Sequence, residues 1–275
     1  MSTFKEPNYF VPGYGYEEWE DYLDLFSPAR GESAIGESST GYLYCPESPT
    51  WIKSVLGDVK VILMLRNPAH RAASLYWWMV REGYEDARTF AQALELEPSR
   101  AADPNFRRNC PQFYPDYLYY ATGLYSGQVR RFLETFGNDK VRVYLFEEFT
   151  KDPPAVCREI FDFLDVNRDF EPVIAVHNEG RLPARAAMQF WLRNRAPRYL
   201  WFLPSRVRQK FLLQLMTLNV RRGSKPIHEI PLERRLLEHY RQDILELERI
   251  LNRDLSLWFD NQIAAEPYSN HVAIH

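Results

Sequence analysis

One segment joins an apolar run, an arginine and the start of a helical pattern. Val61–Leu65 is short and apolar throughout, which is typical of a buried parallel strand. Arg66 follows it, then Asn67, a good N-cap, and Pro68, a good first helical residue. Because helix N-termini favour anions and a guanidinium suits phosphate, the segment predicts an anion site at this turn. A plain strand–helix junction with a solvated arginine is the alternative.

Ser74 extends this candidate site along the predicted helix. It lies six residues past Pro68, about 9 Å along the axis at a rise of 1.5 Å per residue. An anion that contacted both Arg66 and Ser74 would therefore lie along the flank of the helix and not only at its tip.

A second candidate lies near the start of the chain, where Lys5 and Glu6 open the segment KEPNYF. A carboxylate can accept a proton from a hydroxyl as its oxygen attacks, so Glu6 has the chemistry of a general base. On residue types alone, a solvated ion pair is the usual interpretation.

Both segments resemble sulfotransferases that use 3′-phosphoadenosine 5′-phosphosulfate (PAPS). That family shows a hydrophobic strand, Arg-[Asn/Asp]-Pro and then Arg-Ala-x-Ser, matched here from Arg66 to Pro68 and from Arg71 to Ser74. The resemblance implies that Arg66 and Ser74 hold the 3′-phosphate. His70 and Arg71 share the helix face of Ser74 and could assist.

The resemblance also assigns roles near the N-terminus. Glu6 matches the general base of glycan-modifying members, and Lys5 either lowers the pKa of that carboxyl or neutralises sulfonate charge, the second being favoured. Residues 36–43 (GESSTGYL) resemble a segment that lines the acceptor side of the cleft. Thr40 stands there at the family's proline, and Ser38 at a position where many members have lysine.

The resemblance continues from Lys5 to Trp258. A run around Phe146–Phe149 follows the second predicted strand, as in the family. Gly223 and Lys225 lie where relatives place a nucleotide loop, so they are expected to bind the donor, Gly223 through close backbone approach and Lys225 through phosphate.

One family motif is absent from this sequence, the 5′-phosphosulfate loop Lys-x-Gly-Thr-[Thr/Ser]. It normally precedes the Lys-Glu segment by roughly 30–40 residues in the family, whereas this chain begins four residues before Lys5. The expectation is an N-terminally truncated domain: a fragment, a mis-started reading frame or an inactive descendant. Two functions stay open, sulfonate transfer from PAPS to an acceptor hydroxyl, and an inactive nucleotide-binding or scaffold protein. The absence of GxxxxGK[ST] argues against a nucleotide kinase.

Composition bounds the class of protein. The 275 residues are 45% hydrophobic and 15% aromatic, enough for one substantial core, and a single sulfotransferase-like domain is expected over 1–275.

Cys45, Cys110 and Cys157 lack metal spacing, so no metal and a reducing compartment are expected. No long apolar run or signal core occurs, and the predicted location is cytoplasmic. The oligomeric state stays open.

Charge is unevenly distributed. From Arg181 to Lys225 the chain has eleven Lys or Arg and no Asp or Glu, although its net charge is −3. Such a stretch indicates an anionic partner: an anionic acceptor, the nucleotide donor or, given the interleaved Trp191 and Trp201, an anionic membrane surface. A basic face packed near acidic neighbours is the alternative. Nucleic acid is not expected, because no binding motif is present. The expected acceptor is a small molecule or glycan, with a carbohydrate or glycolipid hydroxyl favoured.

The periodicity predicts an α/β fold in which strands alternate with helices. The resemblance implies a three-layer, P-loop nucleotide-hydrolase-like form of it, with a central parallel sheet flanked by helices. Predicted strands lie at 59–65 and 141–146, with loop at 100–116. Predicted helices lie at 16–26, 48–55, 68–82, 88–97, 117–136, 155–164 and 232–251, with two or three more within 184–218.

Overall fold

The computed structural model describes residues 1–172, 174–177, 181–222, 230–259 and 271–274. The α-helices are α1 (Trp19–Asp24), α2 (Gly41–Tyr44), α3 (Ser48–Leu56), α4 (Pro68–Glu82), α5 (Phe90–Ala102), α6 (Pro104–Asn109), α7 (Tyr125–Phe136), α8 (Phe146–Lys151), α9 (Pro153–Leu164), α10 (Ala186–Asn194), α11 (Ala196–Tyr199), α12 (Ser205–Leu218) and α13 (Ile230–Leu251). The strands are β1 (Val61–Leu65), β2 (Val141–Leu145), β3 (Ile174–His177), β4 (Arg181–Pro183), β5 (Val220–Arg222) and β6 (His271–Ile274).

The central sheet pairs β1 with β2 in parallel, with Val61 beside Val141 and Leu65 beside Leu145. One face of this pair packs into the main core, to which α4, α7 and α13 contribute. The other face, including Tyr144, packs on residues of α8 and α9 such as Phe149. Helices therefore cover both faces of a parallel sheet, which confirms the predicted α/β class. The assignment of one domain to residues 1–275 stays a prediction.

The strand–helix unit at β1 and α4 forms where the sequence predicts it. The side chain of Asn67 caps α4, accepting hydrogen bonds from the amides of Ala69 and His70 at 3.0 and 3.2 Å. Gly83 ends the helix with a φ of 75°, a left-handed conformation that costs glycine little.

The region predicted as loop at 100–116 is largely helical, so that prediction is wrong. α5 runs on to Ala102 because Arg100 is held by a buried bidentate ion pair with Glu85, at 2.8 and 2.6 Å. Its guanidinium also lies 5.4 Å from the ring centroid of Phe106 and 5.3 Å from that of Tyr117. α6 follows at once, capped by Asp103.

The helix predicted to start at Tyr117 starts eight residues later, at Tyr125. The amides of Tyr120 and Ala121 donate to the Glu97 carboxylate at 2.7 and 2.8 Å, which holds this stretch outside the helix. Asp243 of α13 then accepts the amide of Tyr125 at 2.7 Å and so sets the start of α7. Long-range carboxylates decide this boundary, and local patterns do not reveal them.

Other boundaries move by a few residues. α1 is shorter than predicted, β2 ends at Leu145, and the three helices α10–α12 fill the region where two or three were expected. The apolar face of α13 is buried at Leu236, Tyr240, Ile244 and Leu247, as predicted. The antiparallel pairs β3–β6 and β4–β5 were not predicted. No helix in the described ranges has the length and apolar character to cross a bilayer.

Candidate active site

Arg66 lies at the carboxyl end of the parallel sheet. It follows the last residue of β1, and its guanidinium carbon lies 5.0 Å from the ring centroid of Phe146, the first residue after β2. The carboxyl ends of neighbouring parallel strands meet at one edge, and open α/β sheets bind ligands at that edge. Arg66 therefore lies at the edge of the sheet where α/β proteins bind ligands.

The tip of α4 is already occupied by protein groups. The Asn67 side chain takes the amides of Ala69 and His70, and the amide of Asn67 itself donates to Glu147 at 2.8 Å. Trp258 donates to the other oxygen of Glu147 at 3.1 Å. These backbone amides are therefore not available to an anion, because the Asn67 side chain and the Glu147 carboxylate accept their hydrogen bonds. An anion bound by Arg66 would thus lie along the flank of α4.

Ser74 is partly buried on α4, two helical turns from its start. The two residues expected to assist it contact other groups. Arg71 donates to the carbonyl of Tyr119 at 2.6 Å, and His70 Nε2 lies 3.7 Å from an oxygen of Glu233. The role of Ser74 itself stays a prediction.

Glu6 is held by contacts with the segment 36–43. The hydroxyl of Thr40 donates to Glu6 Oε2 at 3.0 Å, and the amide of Asn8 donates to the hydroxyl of Ser39 at 3.0 Å. Glu6 has a left-handed backbone, with φ of 56°, and Asn8 donates to its carbonyl at 2.8 Å. The two N-terminal motifs that the sequence singled out therefore pack together, and their contact orients the Glu6 carboxylate.

Lys5 stays in solvent beside this carboxylate. Its Nζ lies 3.7 Å from Glu6 Oε1, and the side chains of Lys5 and Glu6 are 88% and 34% exposed. An ion pair this exposed contributes little to stability, and the role of Lys5 stays a prediction.

Glu37 anchors the segment that holds Glu6. Its carboxylate accepts hydrogen bonds from the hydroxyls of Tyr42 and Ser39, the latter at 2.8 Å. Burial raises the pKa of the Glu37 carboxyl. Ser38, at the position where lysine was expected, is exposed.

Asp116 lies in the segment between α6 and α7, three residues after Phe113, whose ring stacks on Tyr14. Burial raises the pKa of its carboxyl from 3.8 to about 7; the positive charge of Arg71 and a hydrogen bond from Gln112 lower it, and the negative charge of Glu6 raises it further. Arg71 of α4 and Glu6 of the N-terminal loop thus both act on the pKa of this carboxyl. Sequence analysis did not single out Asp116, which lies at the end of a stretch predicted as loop. The negative charge of Asp116 in turn helps to raise the pKa values of Tyr14, Cys110 and Tyr117.

An open cleft of about 1540 Å³ adjoins the N-terminal loop. Aromatic rings form part of its wall, and Tyr14 stacks on Phe113 with centroids 4.1 Å apart. Its charged lining residues have both signs: Arg107, Arg131, Arg235, Glu47, Glu95, Glu97 and Asp243. Glu6, Arg66 and Ser74 are not among the lining residues. Sequence reasoning missed it, because its walls come from five distant parts of the chain.

Gly223 and Lys225 lie outside the described residues. Within the described part of the chain, no group of three or more His, Cys, Asp or Glu side chains is arranged to hold a metal ion.

Comparisons with known proteins place this geometry in a family. A model of the sulfotransferase domain matches residues 43–181, just over half of the chain. The mouse bifunctional heparan sulfate N-deacetylase/N-sulfotransferase 4 is 26% identical over 171 residues, which are 60% of this chain and 18% of that protein. The membrane-associated sulfotransferase kil1 of Dictyostelium discoideum is 21% identical over 252 residues, covering 64% of this chain and 53% of the relative.

The chain thus spans less than two thirds of the length of these curated relatives. Among solved structures, a sulfotransferase from Alicyclobacillus acidocaldarius is similar with a TM-score of 0.67 and 28% identity, over 94% of this chain and 87% of that one. The matched residues 43–181 include β1, the Arg66 turn and α4. By this match, the chain belongs to the sulfotransferase family.

Proposed function

We propose that this protein transfers a sulfonate group from PAPS to a hydroxyl of an acceptor. The observation that carries the proposal is the Glu6 carboxylate, which the Thr40 hydroxyl orients at 3.0 Å. Glu6 and Arg71 of α4 both act on the pKa of the Asp116 carboxyl, which supports a proton acceptor near the helix whose start carries the predicted 3′-phosphate arginine.

Each candidate site residue has one role in the proposed transfer. Arg66 and Ser74 bind the 3′-phosphate along the flank of α4, and Gly223 and Lys225 contact the nucleotide. Glu6 takes the proton of the attacking hydroxyl while the new O–S bond forms and the S–O bond to the 5′-phosphate breaks. Lys5 offsets negative charge on the sulfonate. Positioning and charge stabilisation carry most of such a transfer.

The acceptor is proposed to be a carbohydrate or glycolipid hydroxyl. The cleft beside the Glu6 loop supports this, because aromatic rings such as those of Tyr14 and Phe113 stack on sugar rings and its charged side chains of both signs hydrogen-bond sugar hydroxyls. The mouse relative is named for heparan sulfate, a carbohydrate, which supports a carbohydrate acceptor. A small phenol would also reach an open aromatic cleft, so an acceptor panel includes both.

The first experiment titrates adenosine 3′,5′-bisphosphate, the desulfonated product, into the folded chain by calorimetry. Arg66→Ala is expected to weaken binding by roughly 10- to 100-fold, because charge-assisted hydrogen bonds to phosphate are lost. Arg142→Ala is the matched control. Arg142 also lies over a ring, 4.8 Å from the Phe163 centroid, but it lies within β2 and not at its carboxyl end.

A second arm separates binding from chemistry. Glu6→Gln is expected to lower kcat by about 10²- to 10⁴-fold while bisphosphate affinity stays unchanged, since a general base acts on the acceptor. Equal losses in Arg66→Ala and Arg142→Ala would refute the phosphate assignment. Bisphosphate binding without turnover over the whole acceptor panel would instead favour a nucleotide-binding or scaffold protein.

A further inference from the structure

The helices α10–α12 expose large aromatic side chains far beyond what a core helix leaves in solvent. Trp201 and Phe202, in the turn that joins α11 to α12, are 77% and 64% exposed. Tyr199 at the end of α11 is 69% exposed and stacks on Trp191 of α10, with centroids 6.1 Å apart. Contiguous exposed apolar surface of this kind marks an interaction site.

α12 has two apolar faces, and one of them covers nothing in the described fold. Leu212 and Met216 are buried against α10 and α11. Val207, Phe211 and Leu218 are 53%, 46% and 73% exposed. At 3.6 residues per turn these three lie within about 40° of one another and about 120° from Leu212. The second stripe therefore faces away from the core.

Basic side chains accompany these apolar ones. Arg195, Arg198, Arg206 and Lys210 are all exposed, and no acidic residue occurs between Arg181 and Lys225. Within the described residues of α10–α12, Arg193 is the basic side chain that reaches a carboxylate, lying 3.5 Å from Glu82. The alternative of a basic face packed near acidic neighbours thus holds for Arg193, whose side chain faces α4.

The opposite side of these helices is fixed to the rest of the fold. Gln189 donates to the carbonyl of Arg81 at 2.7 Å, and Asn194 donates to that of Gly83 at 2.7 Å. The exposed side is therefore presented on a rigid support. The helices also lie beyond residues 43–181, which match the sulfotransferase domain.

We propose that the outer side of α10–α12 is a peripheral docking site for an anionic phospholipid bilayer. We call it the aromatic–basic surface, and its residues are Trp191, Arg195, Arg198, Tyr199, Trp201, Phe202, Arg206, Val207, Lys210, Phe211 and Leu218. Tryptophan and tyrosine rings prefer the interface of a bilayer, and an apolar stripe flanked by Arg and Lys is typical of helices that lie in the headgroup plane.

Charge decides between a bilayer and the other possible occupants. A second copy of this surface would bring like charges together at short range, which disfavours a dimer through it. An acidic polysaccharide would pair with the basic side chains, but it would leave the apolar stripe of α12 in water. An anionic bilayer satisfies both, with headgroups for the cations and acyl chains for the rings.

The test is co-sedimentation of the full chain with phosphatidylcholine vesicles, with and without a minority of phosphatidylglycerol. Binding is expected only with phosphatidylglycerol, and it should fall as sodium chloride rises, because salt screens the headgroup charge. Trp201→Ala with Phe202→Ala should weaken binding by about tenfold or more through lost apolar burial. Arg206→Gln with Lys210→Gln should weaken it by roughly 10- to 30-fold, about fivefold per charge.

Matched controls lie elsewhere on the surface. Phe170→Ala removes a ring that is 56% exposed, and Arg158→Gln removes an exposed charge of α9; both should bind vesicles as the unchanged chain does. Because Trp201 and Phe202 contact mainly solvent, their variants should keep the thermal midpoint of the unchanged chain. A folded chain that stays in the supernatant with phosphatidylglycerol vesicles overturns the proposal. So does equal binding by the double variants, or a concentration-dependent dimer that Trp201→Ala with Phe202→Ala abolishes.

Discussion

The turn at Arg66 and the loop at Glu6 are held in place by different kinds of contact. Asn67 caps its own helix from two and three residues away, so most of the turn is set by neighbours in sequence. Glu6 depends on Thr40, which is 34 residues distant, and on the packing of Asn8 against Ser39. The first is a local structure that a pattern can predict, whereas the second exists only once the chain has folded.

The two regions also differ in what surrounds their carboxylates, Glu147 at the turn and Glu6 in the loop. Asn67 and the carboxylate of Glu147 are tied into the core through Trp258. The Glu6 side chain is 34% exposed and has two polar neighbours, Thr40 and Lys5. A change at the turn should therefore affect stability first, and a change at the loop should affect activity first.

The largest stability effect is expected from Asn67→Ala. It removes the cap of α4 and leaves the carbonyl of Trp258 without its donor, which lies 2.9 Å away. Urea unfolding should show a loss of about 2–3 kcal/mol. Thr89→Ala, which removes an exposed cap at the start of α5, should cost about 1 kcal/mol. Equal losses in the two variants would contradict the link between the turn and the core.

A smaller effect tests whether the two regions meet at Asp116. Because the pKa of this carboxyl is raised from 3.8 to about 7, the folded chain keeps a proton that the unfolded chain releases. The free energy of unfolding should therefore fall as pH rises from about 4 to about 7. Asp116→Asn should flatten this slope and stabilise the chain at pH 8 by about 1–2 kcal/mol, less than full burial would give.

A second variant tests whether Glu6 acts on the Asp116 carboxyl. In Glu6→Gln the slope should become shallower, because the negative charge of Glu6, which raises the Asp116 pKa, is gone. An unchanged slope in Glu6→Gln would mean that Glu6 does not act on the Asp116 carboxyl.

The smallest effect is expected at Thr40. Thr40→Val removes the hydroxyl that donates to Glu6 at 3.0 Å, and kcat should fall by about three- to tenfold. Thr40→Ser keeps the hydroxyl and should restore kcat. Unfolding stability should barely change, since Thr40 is exposed; a loss as large as that of Asn67→Ala would remove the contrast between loop and turn.

Much of the central fold was predictable because its signals are local. The apolar run of β1, the Asn-Pro start of α4 and the stop at Gly83 lie within one continuous segment. The wrong predictions fall where carboxylates that are distant in sequence accept hydrogen bonds from the backbone. At the start of α7, for example, Glu97 and Asp243 bind backbone amides. A side chain that caps a helix from another element leaves no periodic mark in the sequence.

By itself, then, the sequence determined the strand–turn–helix unit with Arg66, the buried face of α13, the family resemblance and the uneven charge. Short-range propensities and apolar periodicity suffice for these. The tertiary structure alone decided that Thr40 holds Glu6, that Glu6 and Arg71 both act on the Asp116 carboxyl, and that one apolar face of α12 is left in solvent. Each of these depends on distances between elements far apart in the chain, which are fixed only when the core packs.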